Sequence, residues 1–397
     1  MTLKEIIENT FAGGGNELIF SYLYSKGLNK RCSEYFVSQL KSAWEISKFS
    51  FDQKIWALEN GFLPDKLFLY SLSEKNKNDY LSDIDYLKLH PLNNHFAFWI
   101  NDKLTLKYML SKHLQINSFS QSGVYIDLMP EYYLYIENDG SYSYLMDAPL
   151  CIPKSKEFII SLLHFKKELA LKPSNGAGGK GFFHFSVGDS GFKVNDVPVE
   201  LDELKSIIYS LKGYIVTEFI TQNSQLSEIW NNSSCTLRII VCKTSESQYE
   251  PGKYNVITSY ARFGTSKSGG SSNLSSGGVG APFNFETGEF EGHFYRYKAL
   301  YPDEDIILTN HPDSKISIKG KSLPNYKLVK ESIYSLCNYF SSLEYFGFDI
   351  IITEDGLKLC EINSLPSLDY EQIMQGPIFK NKFANQFFSK KLQQFHK

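Results

Sequence analysis

The chain has 397 residues, of which 42% are hydrophobic, and a formal net charge of −3 at pH 7. This length exceeds what a single hydrophobic core usually holds, so we expect two or three structural units. The near-neutral charge gives no general attraction to nucleic acid or to an anionic membrane, and it argues against a dedicated nucleic-acid-binding protein.

The N-terminus begins Met-Thr-Leu-Lys-Glu-Ile-Ile-Glu, which lacks the basic and then apolar segments of a signal peptide. No apolar run approaches the roughly 18 residues of a membrane span. The six cysteines form no CxxC pair, which favours reduced side chains packed as small apolar groups. We therefore expect a cytoplasmic protein without a membrane span, and the oligomeric state stays open.

Residues 1–97 are predicted to form a mainly helical region. Between Ser33 and Ser47, apolar side chains recur at helical spacing, and the segment from Phe51 to Asn60 continues in the same style. The glycine run at residues 13–15 is more typical of a flexible turn than of a phosphate loop. We find no chemistry in this region.

The pattern changes near residue 98. Asp102 is the expected N-cap of a helix from Lys103 to His113, and further helices are predicted at 202–211 and 326–343. Strands are predicted at 132–136, 169–172, 182–185, 214–220, 236–242, 256–263, 346–353 and 357–362. Because short turns join several of these strands, we expect mostly antiparallel pairing and an α+β fold.

A glycine-rich loop, KPSNGAGGKG, follows the strand that ends at Lys172 and precedes a second strand. A Walker loop would be followed by a helix and would end in Lys-Ser or Lys-Thr, and both features are absent. A glycine loop between two strands is instead typical of a flap, whose N–H groups can approach phosphate oxygens because no Cβ obstructs them. The alternative is a flexible hairpin. Lys172 would place a positive charge against phosphate.

The segment FGFDIIITEDGLKLCEIN is the most informative. A three-residue hairpin loop would pair Thr353 with Leu357, and therefore Asp349 with Glu361, on one face of the ribbon. A two-residue loop would instead put the two acids on opposite faces. Asn363 shares the face of Glu361. Adjacent carboxylates repel unless a cation lies between them, so this oxygen donor set predicts Mg²⁺; the alternative is a pair of exposed acids.

Two other strands carry single charged residues. Arg238 interrupts the apolar strand TLRIIVC, and a buried arginine needs an anionic partner, which is either a structural carboxylate or a phosphate or reacting oxyanion. Glu218 interrupts GYIVTEFI; it lies either on a solvated face or at an adenine pocket read by the backbone of residues 218–220.

Two later loops complete the candidate set. The Gly- and Ser-rich segment from Arg262 to Gly288 is either a disordered linker or a functional loop. It lies between predicted core strands, where a long loop is usually functional, and Asn273 within it could reach the phosphate and metal region. The loop from His311 to Pro324 contributes a histidine that we expect at the surface.

Together these segments resemble the ATP-grasp superfamily, and within it the sugar-transfer-associated and teichuronopeptide-type proteins of bacterial polysaccharide gene clusters. The matching pieces are Asp102-Lys103 at a helix start, KPSNGAGGKG, VTEFI, TLRI, SNLSSGG, and FGFDIII with CEIN, in the family's order over roughly residues 100–375. The resemblance implies two α+β subdomains that grip ATP. It divides the chain into a helical region (1–97), an N-terminal and lid part (98–221) and a C-terminal catalytic part (222–397).

The resemblance also implies roles for individual residues, with ATP and Mg²⁺ as cofactors. The implied catalytic residues are Arg238, Lys172 and Asn273; the ATP-binding residues are Lys103, Lys172, Ser174, Asn175, Gly176, Gly178, Gly179, Lys180, Glu218, Phe219 and Ile220; and the metal ligands are Asp349, Glu361 and Asn363.

Proteins of this superfamily usually phosphorylate a carboxylate, and an amine then displaces the phosphate to form an amide. The resemblance therefore implies a carboxylate–amine ligase that takes a small-molecule or sugar-linked carboxylate and an amine during capsule or surface polysaccharide synthesis. An ATP-dependent small-molecule or sugar kinase is the alternative, and a nucleotide-binding module without turnover is a third. The second acidic cluster, which usually receives the amine, is not identifiable in the sequence.

Overall fold

The computed structural model describes residues 1–110, 127–174, 181–189, 191–244, 254–301 and 304–395, and the backbone of 118–119 and 125–126. Helices and strands follow each other without strict alternation, and every strand pair in these ranges is antiparallel. The expected α+β class is confirmed. The six cysteines form no disulfide, and four of them are buried.

The first hundred residues are helical, as predicted, because apolar side chains recur along one side of each helix and polar side chains cap the ends. Asn29 accepts from the Cys32 N–H at the start of the third helix, and Ser50 forms a capping box with Gln53 at the start of the fourth. The helices are α1 (Leu3–Phe11), α2 (Glu17–Ser25), α3 (Lys30–Ile46), α4 (Phe51–Glu59), α5 (Lys66–Leu69), α6 (Asp83–Lys88), α7 (Ala97–Asn101) and α8 (Lys103–Met109).

A buried ammonium connects this helical region to the C-terminal part of the chain. Lys66 is 1% exposed, and its Nζ lies 3.2 Å from Asp65 Oδ1, 3.5 Å from Asp83 Oδ1 and 3.4 Å from Asp369 Oδ2. Nearby, the side chain of Gln372 accepts from the Leu81 N–H at 3.0 Å. Residues 65–83 are thereby joined to the helix that begins at Asp369 by charge as well as by packing.

The middle of the chain forms a seven-stranded antiparallel sheet, with two short strands preceding it. Helices α9 (Phe158–Lys166) and α10 (Leu201–Ser210) pack on the sheet through one apolar core. The strand order is β4-β3-β9-β5-β6-β7-β8. The strands are β1 (Ser118–Phe119), β2 (Tyr125–Ile126), β3 (Tyr132–Ile136), β4 (Tyr142–Tyr144), β5 (Glu168–Pro173), β6 (Phe183–Gly188), β7 (Gly191–Val194), β8 (Val197–Val199) and β9 (Tyr214–Glu218).

A second seven-stranded antiparallel sheet follows, in the order β14-β13-β12-β11-β10-β15-β16. Its strands are β10 (Thr236–Lys243), β11 (Tyr254–Phe263), β12 (Val279–Pro282), β13 (Phe294–Arg296), β14 (Ile307–Leu308), β15 (Tyr345–Ile352) and β16 (Leu357–Asn363). The remaining helices are α11 (Ser224–Ile229), α12 (Tyr326–Tyr339), α13 (Asp369–Met374) and α14 (Lys382–Gln394).

The central strands of this second sheet are buried on both faces. Helix α12 packs into the large core on one face, and α14 covers part of the other face through Phe387 and Phe388. The part of that second face that α14 leaves uncovered carries the charged residues of the candidate site. Within the described residues, none of the helices is long and apolar enough to cross a bilayer.

Candidate functional site

The candidate site is built on the hairpin of β15 and β16, where Asp349 lies directly opposite Glu361. This predicted pairing is confirmed, but the predicted hairpin loop is wrong. Ile352, not Thr353, pairs with Leu357, so the turn has the short register that alone would separate the two acids. A β-bulge corrects this: Ile350 pairs with Leu359 and Asp349 with Glu361, and Cys360 is the extra residue. The bulge returns both carboxylates to one face.

Asp349 is held by two arginines. Arg238 lies opposite Asp349 on β10 and donates twice, from Nε to Oδ1 at 2.6 Å and from Nη2 to Oδ2 at 3.0 Å. Arg262 on β11 places its Nη2 3.0 Å from the same Oδ2. Although burial opposes ionisation, the two guanidinium groups hold the pKa of Asp349 well below its usual value. Of the partners considered for Arg238, the structure therefore shows a carboxylate.

A polar row crosses four strands on this face. Glu361, Asp349, Arg238 and Tyr260 lie at successive paired positions on β16, β15, β10 and β11. The Tyr260 hydroxyl then donates to Glu371 Oε1 on α13 at 3.0 Å. The row thus runs from two adjacent carboxylates through a guanidinium and a phenol to a third carboxylate, and it extends from the hairpin to a helix.

Two lysines predicted to bind phosphate lie at the Glu361 end of this row. Lys103 begins α8, which Asp102 caps as predicted by accepting from the Thr105 N–H at 2.7 Å, and its Nζ lies 3.7 Å from Glu361 Oε2. Lys172 ends β5 on the other sheet. Burial lowers the pKa of both lysines, and Glu361 opposes that shift in both. Helix α8 ends at Met109, and residues 111–113 of the predicted helix lie outside the described part.

Glu361 carries the opposite perturbation. Burial and the neighbouring Asp349 raise its pKa, while Lys103 lowers it. The side-chain amide of Asn363 donates to Glu361 Oε1 at 3.2 Å. Glu361 is therefore a half-buried carboxylate whose negative charge is incompletely compensated, in contrast to the buried Asp349.

The donor set fits a divalent cation. Asp349 and Glu361 offer carboxylate oxygens on one face, and Asn363 offers an amide oxygen, which are the ligand types that Mg²⁺ prefers. Because burial and Asp349 raise the pKa of Glu361, a cation bound at this position would stabilise its ionised form. In the described ranges, no three His, Cys, Asp or Glu side chains come close enough to hold a metal ion, so a cation here would depend on the amide and on further ligands.

The hydroxyl of Tyr132 is a polar group that the sequence did not single out. The side chain is fully buried at the start of β3, and its ring lies between Lys172 Nζ at 5.3 Å and Lys107 Nζ at 5.4 Å. Its oxygen has no hydrogen-bond partner among the described residues. Burial, with smaller contributions from Cys360 and Glu361, raises the Tyr132 pKa.

The predicted flap joins β5 and β6, the connection expected for it, but most of its residues lie outside the described part. These are Asn175, Gly176, Gly178, Gly179 and Lys180. At its first end the Ser174 N–H donates to the Gly213 carbonyl at 2.9 Å. At its other end Gly181 has φ +74, and an added Cβ would lie 2.7 Å from the Tyr214 hydroxyl, so this position requires glycine.

The segment proposed for adenine begins at the end of β9. The Glu218 side chain accepts from the Glu131 N–H at 3.0 Å and lies 3.5 Å from Lys358 Nζ, so it is neither a freely solvated acid nor an unpaired one. Phe219 stacks on His184 with ring centroids 3.7 Å apart, and the Ile220 carbonyl accepts from the Ser234 hydroxyl.

The loop after β11 reaches the site as expected. Its Asn273 contacts the site through Arg262, a residue to which the sequence analysis gave no role. Asn273 Oδ1 accepts from Arg262 Nη1 at 3.4 Å, and Arg262 Nε donates to Thr236 Oγ1 at 2.9 Å. The expectation of a surface His311 is wrong. The ring is fully buried, its Nε2–H donates to the Gly264 carbonyl at 2.8 Å, and it stacks on Trp230.

Three participants were missed: Arg262, Tyr260 and Glu371. Arg262 and Tyr260 are two residues apart on one strand and hence on the same face, a signal that was available in the sequence. Tyr260 lies opposite Arg238 and Arg262 lies opposite Thr236, and this placement depends on which strands pair, which the alternation of apolar residues does not specify.

Comparison with known proteins identifies a family for most of the chain. The family model described as sugar-transfer associated ATP-grasp matches residues 93–387, which is well over half of the chain. No curated protein matches the sequence.

Several solved structures are similar at low identity. D-alanyl-alanine synthetase A from Vibrio cholerae has a TM-score of 0.37 and 11% identity over 75% of this chain and 66% of its own. D-alanine–D-alanine ligase from Bacillus anthracis, complexed with ATP, has a TM-score of 0.34 and 12% identity over 74% of this chain and 68% of its own. N5-carboxyaminoimidazole ribonucleotide synthetase from Thermotoga maritima has a TM-score of 0.33 and 14% identity over 73% of this chain and 50% of its own. The match thus spans between half and about two thirds of these proteins.

The family match covers the candidate hairpin, both lysines, the arginine pair and the flap in a single segment. The chain belongs to the sugar-transfer associated ATP-grasp family.

Proposed function

We propose that this protein is an ATP-dependent ligase that activates a carboxylate by phosphorylation and joins it to an amine. The observation that carries the proposal is that Lys103 lies 3.7 Å from Glu361 and Lys172 interacts electrostatically with the same carboxylate. Glu361 in turn lies opposite Asp349 on the β15–β16 hairpin. Cations suited to phosphate thus lie beside oxygen donors suited to Mg²⁺, as phosphoryl transfer requires.

The proposed ligation takes place in two steps, phosphorylation of the carboxylate and then displacement of the phosphate by the amine. When bound, Mg-ATP supplies the phosphoryl group: a substrate carboxylate oxygen bonds to the γ-phosphorus while the bond to the bridging oxygen breaks and ADP leaves. The amine nitrogen then bonds to the acyl carbon, the carbon–oxygen bond to phosphate breaks, and the nitrogen loses a proton to solvent. The product is an amide, with ADP and phosphate released.

The chain's own residues divide this work. Lys103 and Lys172 neutralise phosphate oxygens, and Asp349, Glu361 and Asn363 are proposed to hold Mg²⁺. Asp349 takes two of the guanidinium N–H donors of Arg238 and orients the group, which leaves the rest for the negative charge on the reacting oxygens. We assign to Asn273 the positioning of Arg262, to which it is hydrogen bonded.

Residues on the lid side are proposed to hold the nucleotide. Ser174 and the loop from Asn175 to Lys180 would close over the phosphates, and a closed loop would exclude the water that hydrolyses an acyl phosphate. Glu218, Phe219 and Ile220 would contact the adenosine part. We propose the same division of the chain as before, into 1–97, 98–221 and 222–397.

We further propose that the carboxylate belongs to a sugar acid or a sugar-linked precursor in bacterial capsule or surface polysaccharide synthesis. The description of the matched family as sugar-transfer associated supports this context.

The test is a crossed screen with Mg-ATP, in which carboxylates, including uronic acids, are combined with amines while ADP and phosphate are measured. A ligase releases both in equal amounts only when carboxylate and amine are present together. A kinase would form ADP and a stable phosphorylated acceptor without any amine. Absence of ADP formation with every combination would contradict the proposal. The Glu361→Gln variant is the control for contaminating ATPase.

A further inference from the structure

A cavity of about 590 Å³ opens beside the first half of β11. Its walls are the strand residues 255–259, the segment 283–286 that follows β12, and the chain from Glu371 to Phe383. Strand β12 pairs with β11 only from Tyr260 onward, so the strand edge at 255–259 faces the cavity instead of another strand. The volume suits a small molecule of about the size of a monosaccharide or an amino acid.

Two of the lining residues contain buried polar atoms without partners. Glu371 is 1% exposed, and its Oε2 has no hydrogen-bond partner among the described residues. Thr258 is 3% exposed, and its Oγ1 also has none. A buried carboxylate oxygen and a buried hydroxyl are each destabilised when they have no hydrogen-bond partner, so a ligand that donates to them would relieve that desolvation cost.

The charges around the cavity select the sign of such a ligand. Glu371 and Glu291 line it without an ion pair in the described part of the chain, whereas Glu286 is bound to Lys330. The lining ammonium of Lys380 is bound to Asp79, at 3.3 Å. When Glu371 is ionised, the uncompensated charge is therefore negative, which favours a cation, and a bound cation would in turn favour the ionised form.

The cavity also adjoins the polar row of the candidate site. The same Glu371 that lines it accepts from the Tyr260 hydroxyl through its other oxygen, and Tyr260 lies opposite Arg238. A molecule bound at Glu371 would thus lie on the second sheet, near Arg238, to which we assign stabilisation of the negative charge on the reacting oxygens.

We propose that this cavity binds the amine substrate, a small primary amine whose ammonium group contacts Glu371 and whose other polar groups donate to Thr258. That the bound amine is a substrate rests on the proposed ligase function. That the cavity binds an amine rests on the cavity alone. It supplies the acidic amine site that the sequence analysis did not find.

The test measures amine binding to the full-length protein by calorimetry without ATP, so it does not depend on turnover. The probes are matched pairs that differ in an amine against a hydroxyl: glucosamine against glucose, and 1,3-diaminopropane against 1,3-propanediol. We expect at least one amine to bind and its neutral counterpart not to bind. Glu371→Gln should weaken that binding roughly tenfold or more, and Thr258→Val, which is nearly isosteric, should weaken it less.

Glu344→Gln is the matched control, because Glu344 is bound to Lys391 and lies outside the cavity. It should bind the amine as the wild type does. Equal affinity of the Glu371→Gln variant and the wild type, equal binding of amine and neutral probes, or no amine binding up to about 10 mM would overturn the assignment.

Turnover separates this inference from the proposed function. Amine binding that requires Glu371, in a protein that never forms ADP, would leave the cavity assigned and remove the ligase. Sustained ligation with an amine whose KM is unchanged in Glu371→Gln would support the ligase and overturn the assignment of the cavity.

Discussion

Arg238 and Asp349 are paired twice, once as opposite residues on adjacent strands and once through two side-chain hydrogen bonds of 2.6 and 3.0 Å. The backbone register therefore sets the side-chain geometry directly. Because Asp349 also binds Arg262, its removal would leave two buried guanidinium groups without their shared carboxylate.

We expect Asp349→Asn to lower the free energy of unfolding by about 3–5 kcal/mol, because breaking a buried ion pair leaves an uncompensated charge. Urea denaturation measures this. Asp355→Asn, at the exposed tip of the same hairpin, is the control and should change it by less than about 0.5 kcal/mol. A variant as stable as the wild type would show that the arginines do not depend on Asp349.

Glu361→Gln should abolish turnover while leaving the fold intact. The substitution removes a carboxylate that repels Asp349, so stability is not expected to fall, but it also removes a proposed Mg²⁺ ligand. ADP formation as a function of Mg²⁺ concentration, together with the denaturation midpoint, checks both halves. Activity at the wild-type level would contradict the metal assignment.

Lys172→Ala should weaken Mg-ATP binding by about 10- to 100-fold, because the half-buried ammonium beside Glu361 is proposed to neutralise phosphate. Calorimetry with Mg-ATP measures the affinity directly. Lys154→Ala is the comparison, since Lys154 is exposed and stacks on Tyr144 at the far edge of the same sheet. An unchanged ATP affinity in Lys172→Ala would exclude Lys172 from the site.

Tyr132→Phe should leave the free energy of unfolding unchanged or raise it by about 1 kcal/mol. The hydroxyl is buried without a partner among the described residues, so its removal loses no hydrogen bond and relieves a desolvation cost. Thermal or urea unfolding without nucleotide provides the measurement. A loss of more than about 1 kcal/mol would mean that the hydroxyl is bonded in the folded protein.

Glu371 predicts a pH dependence of stability. Burial raises its pKa from 4.5 to about 7, against the opposing influence of Arg238 and Tyr260, with Asp369 reinforcing the rise. Because the folded state binds this proton more tightly than the unfolded state, the group's contribution is most favourable below pH 4.5 and declines as pH rises to about 7.

Glu371→Gln removes that decline. Its stability relative to the wild type should increase by about 1–3 kcal/mol between pH 4.5 and pH 7.5, which parallel urea titrations would measure. A difference that is constant with pH would show that Glu371 is ionised throughout.

The strands of the candidate site could be predicted from alternation alone. β10, β11, β15 and β16 all lie within two residues of their predicted bounds, because their apolar runs are long and the hairpin signals are clear. The opposition of Asp349 and Glu361 was predicted correctly from an incorrect turn. The bulge at Cys360 compensates for it, and no residue in the run LKLCEIN marks the extra position.

What depends on tertiary contact was not predictable. His311 is polar and follows a loop, which favours exposure, but Trp230 and Gly264 enclose it from distant parts of the chain. Arg262 was included in a predicted strand and in the glycine-rich segment, but its partner Asp349 is 87 positions away, and the sequence does not pair the two. The domain boundaries and the residue roles remain predictions.

The ion pair between Lys66 and Asp369 limits how far the C-terminal part of the chain can be separated from the N-terminal helices. Asp369 is two residues from Glu371 on the same short helix, so the N-terminal helices supply a counter-charge to the helix that carries Glu371. A fragment of residues 93–397 would leave Asp369 without the Lys66 ammonium and Gln372 without its bond to the Leu81 N–H. Such a fragment would need a replacement ammonium at the Lys66 position before its properties could be compared with those of the full chain.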